Sequence, residues 1–279
     1  MELADGVLAR RYAELDLTVG LIVGGERALV VDTRGDRAQG AELAAAVRAV
    51  TALPVGVVYT HAHFDHCFGT ASLLAAPVHA RPVYGHPGCA AALAAGAEAQ
   101  RAEWTAYYRD RGDRETADAL AGSPVVMPSA LVGGETALQL GDRTVVLSHP
   151  GPAHTDHDLT VLVPDAAVLF AGDLVEHGAP PDFTDAYPLD WPAAIERLGA
   201  SGATTVVPGH GDPVAPDFVA GQHEELTMVA GLCRAVLDAT ATEAQAVLGS
   251  PYPELTTLTA LARARTAEPG GPYARTPRV

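Results

Sequence analysis

Four apolar runs in this chain lead straight into histidine or aspartate: VVYTHAHFDH at 57–66, SHPGPAHTDHD at 148–158, LFAGDLVEH at 169–177 and TVVPGHGDP at 205–213. Exposed loops do not need this density of imidazole. The pattern asks for a fold in which several strand ends, far apart in sequence, reach one edge and hold their loops still. In extended backbone, side chains two apart point the same way, so His61 and His63 face one spot just beyond the first run. Phe64 then points into the core, and Asp65 and His66 lie where the chain turns into a helix, aimed at a neighbouring spot. Imidazole and carboxylate are ligands for zinc and similar divalent ions, so one ion near His61 and His63 and a second near Asp65 and His66 suit this spacing. Two ions need more ligands than those four side chains. The later runs offer His149, His154, His157, Asp158, Asp173, His177 and His210.

The rest of the pattern alternates strands and helices. Runs at 19–23 and 28–32 around Gly24-Gly25-Glu26 predict a hairpin. Alanine, leucine and valine at helical spacing predict a helix over 39–50, and Pro54 opens a strand over 55–59. Residues 86–122 predict a helical segment carrying Trp104, Tyr107 and Tyr108. A second unit starts with strands at 136–140 and 143–148, joined by Gly141-Asp142, and continues with strands at 159–163 and 168–170. A helix over 191–198, a strand over 204–207 and helices over 216–237 and near 254–265 complete it. Two such units pack sheet against sheet with helices on the outer faces, an α/β (α+β) class. We expect one domain over 1–267, with 86–122 as a helical insertion or lid, and a flexible tail over 268–279.

Together HAHFDH, GPAHTDHD, FAGDL and VVPGHG, in this order across about 18–223, resemble the metallo-β-lactamase superfamily. The resemblance implies an αββα sandwich, two mixed sheets face to face with helices outside. It implies that His61, His63 and His154 bind one metal ion, that Asp65, His66 and His210 bind a second, and that Asp173 bridges both. The implied cofactor is a pair of zinc ions, with iron or manganese admissible. An aspartate at 173, where some secreted β-lactamases of the family place cysteine, matches its glyoxalase-like, lactonase-like and general hydrolase branches. The family often has glycine where His157 stands, a departure that bears on pocket shape.

The chemistry such a site implies is hydrolysis. Two ions ~3.5–4 Å apart hold a water between them and lower its pKa towards neutrality. The resulting bridging hydroxide attacks the carbonyl of a small ester, lactone or thioester, with Asp65 orienting it and passing its proton to the leaving group. β-Lactam hydrolysis is an alternative on the same site, and an iron-dependent oxidoreductase or dioxygenase is another. Ligating imidazoles usually donate their second N–H to an outer carboxylate or carbonyl, a role open to Asp32 and Asp158. Asp32 equally suits a strand end at the Thr33-Arg34-Gly35 turn, and Asp158 a turn cap. His177, Trp104, Tyr107, Tyr108 and Tyr187 are candidates for the pocket wall; a solvated loop histidine and core aromatics are their plainer readings. His79 and His86 read as structural.

Charge narrows the partners. Lys+Arg is 18 against Asp+Glu 34, a formal charge of −16, and every one of the 18 is arginine. No basic stripe is present, so nucleic acid and anionic membrane surfaces are excluded as expected partners, leaving a small-molecule substrate. No stretch approaches 18 uninterrupted apolar residues, and MELADGVLARRYAELD has no apolar core of signal-peptide length. Cys67, Cys89 and Cys233 form no CxxC and read as free thiols. The expected compartment is the cytoplasm; the oligomeric state is left open.

Overall fold

The computed structural model describes residues 1–75 and 82–266. His79 and the tail 268–279 lie outside the described residues. Seven strands build the first sheet in sequence order: β1 (Glu2–Ala4), β2 (Val7–Arg11), β3 (Thr18–Val23), β4 (Ala28–Val31), β5 (Val55–Val58), β6 (Val83–Gly85) and β7 (Ala130–Leu131). Neighbours are antiparallel from β1 to β4 and parallel from β4 to β7. The second sheet takes β8 (Thr136–Gln139), β9 (Thr144–Ser148), β10 (Thr160–Val163), β11 (Val168–Glu176) and β12 (Thr205–His210), in the order β12-β11-β10-β9-β8. Only β11 and β12 run parallel there. Both sheets are therefore mixed, with neighbours antiparallel where a turn or loop joins them and parallel where an α-helix does.

Helices close both outer faces. Over the first sheet lie α1 (Arg37–Val50), α2 (Phe64–Cys67), α3 (Thr70–Ala75), α4 (Pro87–Asp110) and α5 (Arg114–Ala121); over the second lie α6 (Trp191–Gly199), α7 (Pro216–Leu237), α8 (Glu243–Gly249) and α9 (Glu254–Thr266). Local chemistry starts them: the Asp36 carboxylate accepts the N–H of Ala38 and Gln39 at α1, and proline sits in the first turn of α4, α6 and α7. Three apolar cores result. One joins Leu43, Val47, Leu93 and Leu120 to Val30 and Val57. A second joins Trp191, Ile195, Leu226 and Leu261 to Leu169 and Val206. Between the sheets, Val7, Ile22, Leu29 and Val58 meet Leu147, Val161, Phe170 and Val207. This is the αββα sandwich, and β5, buried at all four positions, is what a parallel strand covered on both faces looks like.

Several elements differ from the sequence reading. β1 and β2 precede the expected first hairpin; they lie at the sheet edge, where charged residues interrupt alternation. β6 and β7 have three and two residues, too few for any periodicity. The segment 86–122 is two helices, broken at Gly112 (φ +81) and restarted by the Asp113 cap. Cys89, Leu93, Ala97, Tyr108 and Leu120 of this segment share one core with β5, so its inner face belongs to the helical layer. β11 runs nine residues, well beyond 170, so Asp173 lies inside a strand and not past its end. The register of β11 on β12 slips on both sides of Gly172 (φ +56), a bulge that turns Asp173 towards the sheet edge.

Candidate metal centre

Strand ends from both sheets deliver seven side chains to one edge. β5 leads into the turn holding His61 and His63, and α2 carries Asp65 and His66 in a single turn. His154 comes from the β9–β10 connection, Asp173 from the bulge of β11, and His210 is the last residue of β12. Ligand atoms of His61, His63, His154 and Asp173 lie within 4.8 Å of one another, and so do those of Asp65, His66 and His210. Asp173 stands between the groups: Oδ2 is 3.6 Å from His61 Nε2, 3.5 Å from His154 Nε2 and 3.4 Å from His210 Nε2, and Oδ1 is 3.2 Å from His66 Nε2. Asp65 Oδ2 is 3.4 Å from His210 Nε2 and 3.7 Å from His66 Nε2. All seven residues predicted as ligands are thus brought together.

The space for Asp173 is made by Gly209. A Cβ there would sit 1.9 Å from Asp173 Oδ1, so close approach requires glycine, while Gly211 takes a left-handed backbone (φ +95) that favours glycine.

Outer groups fix which ring nitrogen faces inward. His66 Nδ1 donates to Asp32 Oδ2 at 2.9 Å. The Thr60 hydroxyl also donates to Asp32 Oδ2, at 2.8 Å, so it must accept from His61 Nδ1, 3.0 Å away. One buried carboxylate therefore orients two rings, directly and through a hydroxyl. Asp32 occupies a left-handed backbone conformation (φ 63), uncommon for a residue with a side chain and typical of functional sites. His210 Nδ1 donates to the Leu15 carbonyl at 2.7 Å, and His63 Nε2 to Asp185 Oδ2 at 3.0 Å. On these four rings the second nitrogen is left facing the centre; His154 Nδ1 is buried with no hydrogen-bond partner among the described residues. Asp158 takes the second of its two readings, the turn cap: it accepts from the Thr155 N–H and hydroxyl at 2.7 and 2.8 Å and closes the turn that follows His154.

Electrostatics make the same demand. His66 Nε2 and His210 Nε2 lie 3.4 Å apart beside Asp65 and Asp173, so the carboxylates call for positive charge at this point, carried by a proton on the rings or by a metal ion. Burial opposes a positive ring, but Asp173 and its neighbouring carboxylates outweigh it, holding His66 well above the usual imidazole range and His210 at about 10. Burial pulls His61 well below that range and lowers His154. Burial also disfavours the Asp173 anion, yet the surrounding rings of His66, His210 and His61 keep it ionised. His61 Nε2 and Asp173 Oδ1 are buried with no hydrogen-bond partner among the described residues. Nitrogen lone pairs and carboxylate oxygens converging without hydrogens between them are what divalent cations satisfy, so this donor set fits metal.

A cavity of about 290 Å3 opens onto the cluster, lined in part by His63, Asp65, Asp173 and His210. Trp104 lines it, stacked on Phe64 with ring centroids 4.3 Å apart, and so does His177, whose Nδ1 accepts the Asp212 N–H. Tyr107, Tyr108 and Tyr187 are not among the lining residues, correcting the expectation for them. Tyr108 is buried in the core beneath Trp104, and Tyr107 packs beside it under Arg111. Tyr187 bonds Ala153 and Asp156 in the loop around His154. Sequence reasoning missed Thr60, Asp185, Gln100 and Glu176. Thr60 adjoins His61 and was open to notice; Asp185 is 122 residues from His63 and gives no local signal. Gln100 in α4 accepts the Phe64 N–H and donates to the Ala62 carbonyl, both at 3.1 Å, bracing the turn between the two histidines and α2. Glu176 lines the cavity; burial, then the nearby Asp173 charge, raises its carboxyl well above the usual range.

Residues 17–210 match the sequence profile described as the Metallo-beta-lactamase superfamily. The chain belongs to this superfamily. It is 26% identical over 237 residues to the acyl-coenzyme A thioesterase MBLAC2 of Gallus gallus, covering 78% of this chain and 80% of that protein. A Metallo-beta-lactamase type 2 of Bacillus cereus is 33% identical over 82 residues, 28% of this chain and about a third (32%) of that enzyme. Among solved structures, a metallo-β-lactamase from Pontibacter korlensis superposes with a TM-score of 0.60 at 22% identity, covering 79% of this chain and 93% of that one. That likeness is one of fold.

Proposed function

We propose that the chain is a dinuclear zinc hydrolase that cleaves small esters, lactones or thioesters. The observation that carries the reading is Asp173, whose two oxygens lie between a His61–His63–His154 group and an Asp65–His66–His210 group. When bound, such a pair of cations supplies a water of lowered pKa and a Lewis acid for the carbonyl oxygen. The chain's own residues do the rest. Asp65, which lines the cavity, accepts the proton of the attacking water and returns it to the leaving group. Asp32, Thr60, Leu15 and Asp185 hold the rings, and Trp104 and Phe64 give the acyl group an apolar wall. The chicken relative, named as a thioesterase and matched over most of its length, favours the thioester among these substrates. With both ligand groups complete, a single-iron dioxygenase is the poorer reading. Three free, buried cysteines suit a reducing cytoplasm, and no helix among the described residues is long and apolar enough to cross a membrane.

The test is a panel of p-nitrophenyl esters, lactones, thioesters and nitrocefin, run on protein of known metal content. Zinc-dependent turnover of esters, lactones or thioesters is expected, and His63→Ala and Asp173→Ala abolish it. Undiminished turnover in either variant contradicts the assignment.

A further inference from the structure

The turn between β2 and β3 holds a conformation its residues do not favour. Leu15 (φ 54) and Asp16 (φ 60) follow one another in left-handed backbone, and a leucine there is an outlier. Such strain persists only where the surroundings over-determine it. Here they do so from the loop after β12. The Asp16 carbonyl accepts the Gly211 N–H at 2.8 Å, the Thr18 hydroxyl donates to the Gly211 carbonyl at 2.6 Å, and Leu17 forms a β-bridge with His210. Outside these contacts lies Arg11, the last residue of β2. Its Nε and Nη2 donate to the two Asp16 carboxylate oxygens at 2.5 and 2.9 Å, and its Nη1 donates to Asp212 Oδ2 at 2.6 Å. A single exposed ion pair holds little, but a bidentate fork shared with a second carboxylate fastens both loops at once. All of this geometry converges on one contact: the carbonyl of the strained Leu15 accepts the His210 Nδ1 hydrogen at 2.7 Å.

Resting on the dinuclear reading above, we propose that Arg11 is a positioning residue for the Asp65–His66–His210 group. By fastening Asp16 to Asp212 it holds Leu15 in the left-handed backbone and keeps the Leu15 carbonyl on His210 Nδ1. Nε2 of that ring then stays 3.4 Å from both Asp65 Oδ2 and Asp173 Oδ2. Arg11 is not among the residues lining the cavity, so it acts through the turn and not on the substrate. Charge alone makes the opposite demand. A guanidinium near a metal site repels the metal, so its loss would tighten zinc binding through space, whereas loss of the fork loosens it through geometry.

Zinc titration of metal-stripped Arg11→Met, Arg11→Lys and Arg10→Met separates the two. The ion that His210→Ala loses is expected to bind about tenfold more weakly in Arg11→Met, with the other ion unchanged. Arg11→Lys, which keeps the charge without the fork, recovers part of that loss. Arg10→Met removes the same charge from a side chain paired with Glu42, and leaves both ions as in the parent. In metal-free, isotope-labelled protein the His210 Nδ1 proton is expected to exchange with water about tenfold faster in Arg11→Met than in the parent, as a loosened contact allows. Unchanged or tighter binding of the His210 ion in Arg11→Met overturns the proposal. So does an equal loss of both ions with a lowered urea midpoint, the mark of general destabilisation. If the parent binds no zinc, the dinuclear reading fails, and proton exchange decides the positioning role alone: faster exchange in Arg11→Met supports it, and equal exchange overturns it.

Discussion

His66 Nε2 and His210 Nε2 face each other at 3.4 Å, although the residues are 144 apart in sequence, one in helix α2 and the other at the end of β12. Each ring has already given its Nδ1 hydrogen away, to Asp32 and to the Leu15 carbonyl. Two lone pairs pressed together beside two carboxylates repel unless a proton or a metal ion lies among them. The outer groups, not the ligands alone, make this arrangement persist.

Asp32 is accordingly the side chain whose loss reaches furthest. Asp32→Asn leaves one acceptor oxygen where three hydrogen bonds arrive, from the Thr60 N–H, the Thr60 hydroxyl and His66 Nδ1. Zinc affinity is expected to fall about 10–100-fold, with kcat/KM following it. Asp158→Asn, in a carboxylate that touches no ligand ring, changes zinc affinity far less; competition with a chromophoric chelator measures both.

Gly209→Ala places a methyl group 1.9 Å from Asp173 Oδ1. The carboxylate has to move off both ligand groups, at an overpacking cost of about 1–3 kcal/mol. Zinc content by mass spectrometry of the intact protein is expected to drop, whereas Gly199→Ala, with open space around its Cβ, leaves it unchanged.

Gln100→Ala strips the partners from the Phe64 N–H and the Ala62 carbonyl. Each buried group left unpaired costs about 1–3 kcal/mol, read as a lower urea midpoint with the slope unchanged. Gln100→Glu, which still accepts but no longer donates when ionised, is expected to fall between.

His86 gives a pH signature independent of the metal centre. Burial, then the neighbouring His149 ring 4.3 Å away, lowers it to about 4. Its folded-state pKa lies below the unfolded value near 6.5, so the unfolded chain binds the extra proton between pH 4 and 6.5. Stability from this group is therefore full above about pH 6.5 and is lost as pH falls towards 4. Because the ring is half exposed, the change is discounted to the order of 1 kcal/mol. His86→Asn keeps a side-chain acceptor for the Gly88 N–H at the start of α4, and is expected to flatten that part of the stability curve in urea melts at stepped pH.

The ligand atoms were legible in the sequence because strand alternation and a single helical turn decide where His61, His63, Asp65 and His66 point, and apolar runs announce the others. What stayed hidden was long-range. Asp185 orients His63 across 122 residues, and the Leu15 carbonyl orients His210 across 195, through backbone geometry that carries no residue code. Asp158 reads locally like a partner for histidine but spends both oxygens on Thr155, a competition between near bonds that spacing alone does not settle. Tyr107 and Tyr108 follow the same rule: aromatic spacing on a helix fits a core and a pocket equally, and only the turn of α4 over the sheet decides.

Direct titration of metal-stripped protein with zinc bears most closely on the central claim. We expect two ions per chain, one lost in His61→Ala, the other lost in His210→Ala, and both weakened in Asp173→Ala. Binding of no zinc by the folded chain, or two ions held as tightly by Asp173→Ala as by the parent, would contradict it.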